Sequence, residues 1–292
     1  MYVYTGFNLG IHSELPLPEL TTSNTQADIT IRLGNLNDLQ GEHSNSNDYF
    51  LGSIEGVGMV LVKEGREIIL DPNPEIDESI LRPFILGAVI SILLRQRGLL
   101  VLHASSVAIN GEAIAFIGES GWGKSTLAEA FHSQGYSILT DDVMAVSVDG
   151  YQPLVIPSFP QVRLWSDTAA AVGHAPGSLP SLSIETPKLS HILSDGFVQT
   201  PLPLKRIYVL DFAAEFKIIP VDMQTSFVEL MRHSREVQAL KTPEHMNAYL
   251  HLCTSLLKQV PVYRLQRKRS LSALSNLVDL ITSDISPVQC YA

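Results

Sequence analysis

The sequence predicts an α/β protein built on a phosphate-binding loop and preceded by a small β-rich N-terminal region. Three observations predict it. The stretch "GESGWGKSTL" (Gly118 to Leu127) contains the pattern Gly-x-x-x-x-Gly-Lys-Ser. A β-rich run, "AIAFI", leads directly into it, and a helically spaced run, "KSTLAEAFHSQG", leads out. Before about residue 72, short β-branched and aromatic runs alternate instead with Gly, Asn and Asp.

In chain order, "DITIRL", "YFLGSI", "GMVLV" and "EIIL" read as strands, and the polar "NLNDLQGEHSNSND" reads as a mobile loop. From Ile76 to Arg97 the apolar spacing becomes helical and ends in "RQRG", basic residues followed by Gly. The division expected is therefore 1–75, a β-rich region suited to substrate recognition, and 76–292, a catalytic domain. In "GLLVLHASSVAINGEAIAFIGES" two β-rich runs flank "NG", a hairpin signal. The helix after the loop stops at Gly135, and "YSILTDDVMAVSVDG" returns to strand. Between Tyr151 and Leu204 prolines are frequent and elements short: "QVRLW", then a small helix near Ser166 to Val172. "RIYVLDF" is a strand, two helices follow near Ser226 to Arg232 and Pro243 to Leu257, "VPVYRLQ" is a strand and "SLSALSNLVDLI" a closing helix.

Composition narrows the function classes. With 45% hydrophobic and 17% charged residues, a chain of 292 can bury a sizeable core. Acidic residues outnumber basic ones by 30 to 20, which opposes non-specific nucleic-acid binding. Cys253 and Cys290 form neither a disulfide framework nor a zinc knuckle. The first twenty residues lack a basic stretch followed by an apolar one, so no secretory signal is expected. "FILGAVISILL" is shorter than the ~18 residues that a membrane span needs. A cytoplasmic chain without membrane or nucleic-acid partners is expected.

The glycines of Gly118 to Thr126 (Gly118, Glu119, Ser120, Gly121, Trp122, Gly123, Lys124, Ser125, Thr126) let successive N–H groups turn inward around an anion. The helix starting there adds its positive dipole end. Lys124 would reach the β- and γ-phosphates and the Ser125 hydroxyl would ligate Mg²⁺, so ATP and Mg²⁺ are the expected ligands. "LTDDV" places Asp141 and Asp142 at the end of the next strand. Adjacent carboxylates in a desolvated site favour a shared cation: Mg²⁺ would stabilise one while the other accepts a hydroxyl proton. A hairpin at Asn110-Gly111 would fold His103 back beside the Ile117–Glu119 end of the loop strand.

"LHASSVAINGEAIAFIGESGWGKSTLAEAFHSQGYSILTDDV" resembles the catalytic core of the HPr kinase/phosphorylases, over about residues 100 to 146. The resemblance implies a P-loop HPr-kinase-like (PEP-carboxykinase-like) core with a mixed sheet. It makes Asp141 the carboxylate that takes the acceptor's proton, Asp142 its neighbour at the metal, and Lys124 and His103 active-site residues near the transferred phosphate. The family's downstream Arg-Gly-Leu-Gly signature is absent, and "VIPSFPQVRLW" occupies its place; Thr126 replaces the acidic residue that follows the loop Ser. The first strands are similar to those of HPr-kinase-like kinases encoded with peptide natural-product pathways, including those that phosphorylate lasso-peptide precursors. Arg163 and Lys188 resemble positions that clamp phosphate or a substrate carboxylate. Asp211 has the pattern of a Walker B carboxylate, and "RLQRKRS" (Arg264 to Ser270) reads as a solvated basic turn or a contact to nucleotide or substrate. The resulting expectation is a serine kinase acting on a precursor peptide, as a monomer or homo-oligomer. The alternatives are a kinase of HPr or of a small-molecule hydroxyl, and a non-catalytic nucleotide-binding module.

Overall fold

The computed structural model describes residues 1–39, 48–240 and 242–285; Cys290 and residues 40–47 of the polar loop lie outside these. The fold is mixed α/β, with three sheets. The first has seven strands, in the order Thr21–Thr22, Tyr2–Gly6, Leu9–Ser13, Ile29–Leu33, Glu67–Pro72, Gly58–Lys63, Tyr49–Ile54. Its middle three neighbours run parallel and the flanking pairs antiparallel. Alternating residues Ile29, Ile31, Ile68 and Leu70 point to one buried face. They meet Ile85, Leu86, Val89 and Leu93 from the chain that follows. Each such side chain contributes about 1.5–3 kcal/mol on burial. The same apolar cluster continues through Val101, Val143 and Ala145, so the N-terminal sheet shares its core with the rest of the protein.

The helix expected over 76–97 forms as three consecutive pieces: α-helix Glu78–Phe84, a π turn Ile85–Val89, and α-helix Ile90–Gln96. Asp77 caps the start, accepting from the Ser79 N–H at 2.7 Å. Pro83 gives no N–H to the ladder, and the widening begins two residues later. The π turn brings Gly87 against the Arg235 guanidinium, where an added Cβ would lie 3.3 Å from Nη2.

The nine-stranded sheet carries the site. Ser137–Thr140, Ala104–Ile109, Glu112–Ile117, Leu202–Phe212, Val262–Arg267 and Lys217–Pro220 lie side by side. Leu154–Ile156, Met144–Ser147 and Leu100–Leu102 join at the beginning of Leu202–Phe212. Glu112–Ile117, Leu202–Phe212 and Val262–Arg267 are parallel, while the Ala104–Ile109/Glu112–Ile117 hairpin is antiparallel: the sheet is mixed. Asn110 (φ 53°) and Gly111 (φ 80°) turn the hairpin, both left-handed as a two-residue turn requires. The strand after the loop helix, Ser137–Thr140, ends at the paired aspartates as expected, and the rest of "YSILTDDVMAVSV" forms a second strand, Met144–Ser147, in a different part of the sheet. The chain breaks at the paired aspartates, where Asp142 takes φ 70°.

Helices cover both faces. Lys124–His132 and Leu274–Ile285 bury Leu127, Phe131, Leu277 and Ile281 against Phe116 and Tyr208. On the other side Met223–Arg232 and Pro243–Leu257 bury Leu230, Tyr249 and Leu256 against Ala115, Ile117 and Val209. A third, antiparallel sheet of Gln161–Leu164, Thr186–Ile192 and Ser181–Ser183 lies beside the helix Ser166–Ala171. Among the described residues no helix is long and apolar enough to cross a membrane.

Candidate active site

Strand Glu112–Ile117 ends at Gly118, and the helix Lys124–His132 begins with Gly123 as its cap. Gly121 (φ 78°) and Gly123 (φ 81°) are both left-handed, so the loop folds back on itself and leaves the first N–H groups of the helix facing outward. At Gly123 the left-handed backbone disfavours a side chain, and an added Cβ would also lie 2.9 Å from Arg267 Nη2, which would have to move aside. Lys124 is 5% exposed and curls over the loop, donating to the carbonyls of Gly118 (2.8 Å) and Glu119 (3.2 Å). Burial brings its ammonium down to about 8, although Asp141 and Asp142 pull the other way.

A cavity of about 700 Å³ opens in front of the loop. Ser120 to Thr126 form one wall, with His103, Asp142, Arg163 and Lys188 also lining it. The two aspartates have different surroundings. Asp141 is buried at 3% exposure and does not line the cavity; its oxygens accept from Ser105 Oγ (2.6 Å) and the Arg163 N–H (2.9 Å). Asp142 faces the cavity and carries a guanidinium on each oxygen, Arg163 at 2.6 Å and Arg235 at 2.8 Å. His103 Nδ1 stands 3.0 Å from the same carboxylate and 3.1 Å from Arg235. Burial opposes charge on Asp142, but Arg163, Arg235 and His103 override it and hold the carboxyl well below the usual carboxylate range.

His103 reaches this position through register. Ala104 pairs with Ile117, so the residue before it lies beside Gly118. Its backbone N–H is held by the His233 carbonyl at 2.7 Å. That contact draws in the segment after Met223–Arg232 and with it Arg235, a residue with no motif to announce it.

Lys188 stands 5.6 Å over the Trp165 ring at the cavity rim. Asp211 does not line the cavity; it pairs with Arg264 (3.4 Å), which also reaches Glu229 (3.2 Å). Arg264 to Arg267 belong to a strand rather than a solvated turn. Arg267, 7% exposed, donates to the Trp122 carbonyl and stacks 4.9 Å from the Phe212 ring; Arg269 covers the same ring at 5.6 Å. Trp122 and Phe212, with centroids 5.4 Å apart, complete an aromatic and cationic side of the cavity that the sequence did not announce.

No family model matches the chain, and no curated protein matches it. Among solved structures it is similar to the HPr(Ser) kinase/phosphatase from Coxiella burnetii, at 12% identity and a TM-score of 0.33, over 63% of this chain and 97% of that one.

Proposed function

We propose that the protein is an ATP- and Mg²⁺-dependent kinase that transfers the γ-phosphoryl group to a Ser hydroxyl, most suitably on a flexible precursor peptide. The observation that carries this reading is the meeting, in one cavity, of the Gly118–Thr126 loop with the Asp142 cluster. The loop offers what polyphosphate needs: N–H groups at a helix start, a buried Lys124, and space within the ~300–1,000 Å³ typical of small-molecule sites. Trp122, Phe212, Arg267 and Arg269 suit the base, as stacking surface and charge.

For Mg²⁺ the fit rests on Ser125, which lines the cavity, because both oxygens of Asp142 already carry guanidiniums. Mg²⁺ keeps several waters and binds phosphate oxygens through few protein ligands, so one hydroxyl is a sufficient anchor. When bound it would neutralise phosphate charge.

In this reading bound phosphate draws a guanidinium off Asp142, which relieves the charge that holds its pKa down, and the freed oxygen of this cavity-wall aspartate, rather than Asp141 as the resemblance implies, accepts the acceptor's proton. Asp141 positions Ser105 and the Arg163 backbone from behind. Arg163 and Arg235 neutralise Asp142 in the free protein and have guanidinium hydrogens to spare for the transferring group. Catalysis then rests on positioning and charge neutralisation.

One feature supports a peptide acceptor: Trp165, 42% exposed, gives the cavity rim an apolar surface. Mass spectrometry after equal incubation with Mg·ATP should find phosphoserine in peptides encoded beside the gene, and little or none in folded HPr. Modified HPr beside untouched peptide would overturn the substrate assignment. ATP turnover that no hydroxyl compound stimulates would overturn the kinase assignment in favour of a regulatory nucleotide-binding module.

A further inference from the structure

On the buried side of the Lys124–His132 helix, away from the cavity, Glu129 is 2% exposed. Its Oε1 lies 3.0 Å from His174 Nε2 and 3.0 Å from His191 Nδ1. The three side chains come from separate elements: the helix, the turn after Ser166–Ala171, and strand Thr186–Ile192. One donor atom from each falls within 4.8 Å of the others. His132, one helical turn beyond Glu129, brings another imidazole to 6.0 Å from the His191 ring, centroid to centroid.

A hydrogen-bonded Glu–His pair accounts for the His174 contact and leaves the rest unexplained. Glu129 Oε2 is buried with no hydrogen-bond partner, and so is His191 Nδ1 despite its nearness to Oε1. Burying unpaired polar atoms is costly, more so on a carboxylate. A bound cation removes both deficits at once, since it takes the lone pair of a neutral imidazole and either carboxylate oxygen. Donors around a tetrahedral ion with bonds of ~2.0–2.1 Å lie roughly 3.3 Å apart; the two oxygen–nitrogen separations are 3.0 Å, and the three donors together span no more than 4.8 Å, which a small side-chain shift closes. Two imidazole nitrogens and one carboxylate oxygen suit zinc rather than Mg²⁺, which prefers oxygen alone.

We propose that Glu129, His174 and His191 form a site for a divalent transition-metal ion, zinc in the first instance. The ion ties the cavity wall to the back of the glycine-loop helix. His191 pairs with Val162, next to Arg163, and His174 follows the helix that begins beside Trp165. Zinc therefore holds the residues that face the acceptor against the element that faces the phosphates, a structural role distinct from Mg²⁺ at Ser125.

The test uses the full chain, stripped with a chelator and titrated with zinc against a chromogenic indicator. About one equivalent should bind, and the melting temperature should rise with it. His174→Ala and His191→Ala should each weaken zinc by at least the ~10–100-fold seen for loss of an outer partner, and abolish the thermal shift. If His191→Ala fails to fold, His174→Ala decides, because that side chain is partly exposed; loss of its bond to Glu129 should lower the metal-free melting temperature, and the readout is whether zinc raises it. A stripped chain that takes up no zinc, or a His174→Ala chain that binds it like the parent, would overturn the site. Neither readout needs ATP or an acceptor, so failure here leaves the kinase proposal standing.

Discussion

Asp142→Asn should leave ATP bound and lower phosphoryl transfer by roughly 10²–10⁴, the range that a general base contributes. The carboxylate sits between Arg163 and Arg235 on the cavity wall, and the amide keeps its shape while losing its charge and basicity. Removing a negative charge beside the phosphates should, if anything, tighten ATP. Because Arg163, Arg235 and His103 outweigh burial and keep the carboxyl ionised, its protonation should cause no loss of rate between about pH 5 and 7. Asp141→Asn should act differently. It leaves one oxygen for two donors, Ser105 Oγ and the Arg163 N–H, so one of them loses its acceptor and meets an NH₂; this should cost about 1–3 kcal/mol of stability and leave most of the transfer. Single-turnover rates at saturating ATP, alongside thermal melts, separate the two. Transfer that survives in Asp142→Asn and vanishes in a folded Asp141→Asn would reverse the roles.

Lys124→Ala should weaken ATP by about 10–150-fold, the equivalent of the ~1.5–3 kcal/mol in a hydrogen bond to a charged group, and depress transfer with it. The fold should survive at a cost of about 1–3 kcal/mol, since the buried Gly118 carbonyl loses its bond from Lys124 Nζ while Glu119 lies at the surface. The pH dependence is the sharper readout. Burial brings the free Lys124 to about 8, and bound phosphate raises it again. Below pH 8 the ammonium is already charged and affinity should not depend on this group. Above pH 8 binding must take up a proton, so affinity should fall as pH rises. Lys124→Arg, always charged, should remove that fall. Calorimetry in two buffers of different ionisation enthalpy measures the proton uptake directly; affinity unchanged in Lys124→Ala at every pH would contradict the loop assignment.

Features with strict local requirements were legible in the sequence. Asn110-Gly111 is readable because two consecutive left-handed residues are needed there, and the hairpin then fixes His103 beside Gly118. The glycine loop is readable for the same backbone reason. The π turn at Ile85–Val89 is not, since apolar residues on every side of a buried helix fit a continuous one equally well. Nor is the move of Met144–Ser147 to another part of the sheet after the strand end at Asp141-Asp142, since an apolar run suits a strand wherever it pairs. Arg235 enters through tertiary contact alone, by the bridge of Leu102 with Ser234 and the bond from His103 N–H to the His233 carbonyl. Arg267 looked solvated by composition, yet a strand carries it inward to the Trp122 carbonyl. Glu129 looks like an outward charge on an amphipathic helix until the Thr186–Ile192 strand covers it.

The most direct test of the central claim follows the label of γ-³²P-ATP during one turnover, with Mg²⁺ and a serine-containing precursor peptide present. The label should leave ATP and appear in an alkali-labile phosphoester on the peptide, at a rate that Asp142→Asn lowers by roughly 10²-fold or more. Label that remains on ATP, or that passes to inorganic phosphate at the same rate with and without the peptide, would contradict it.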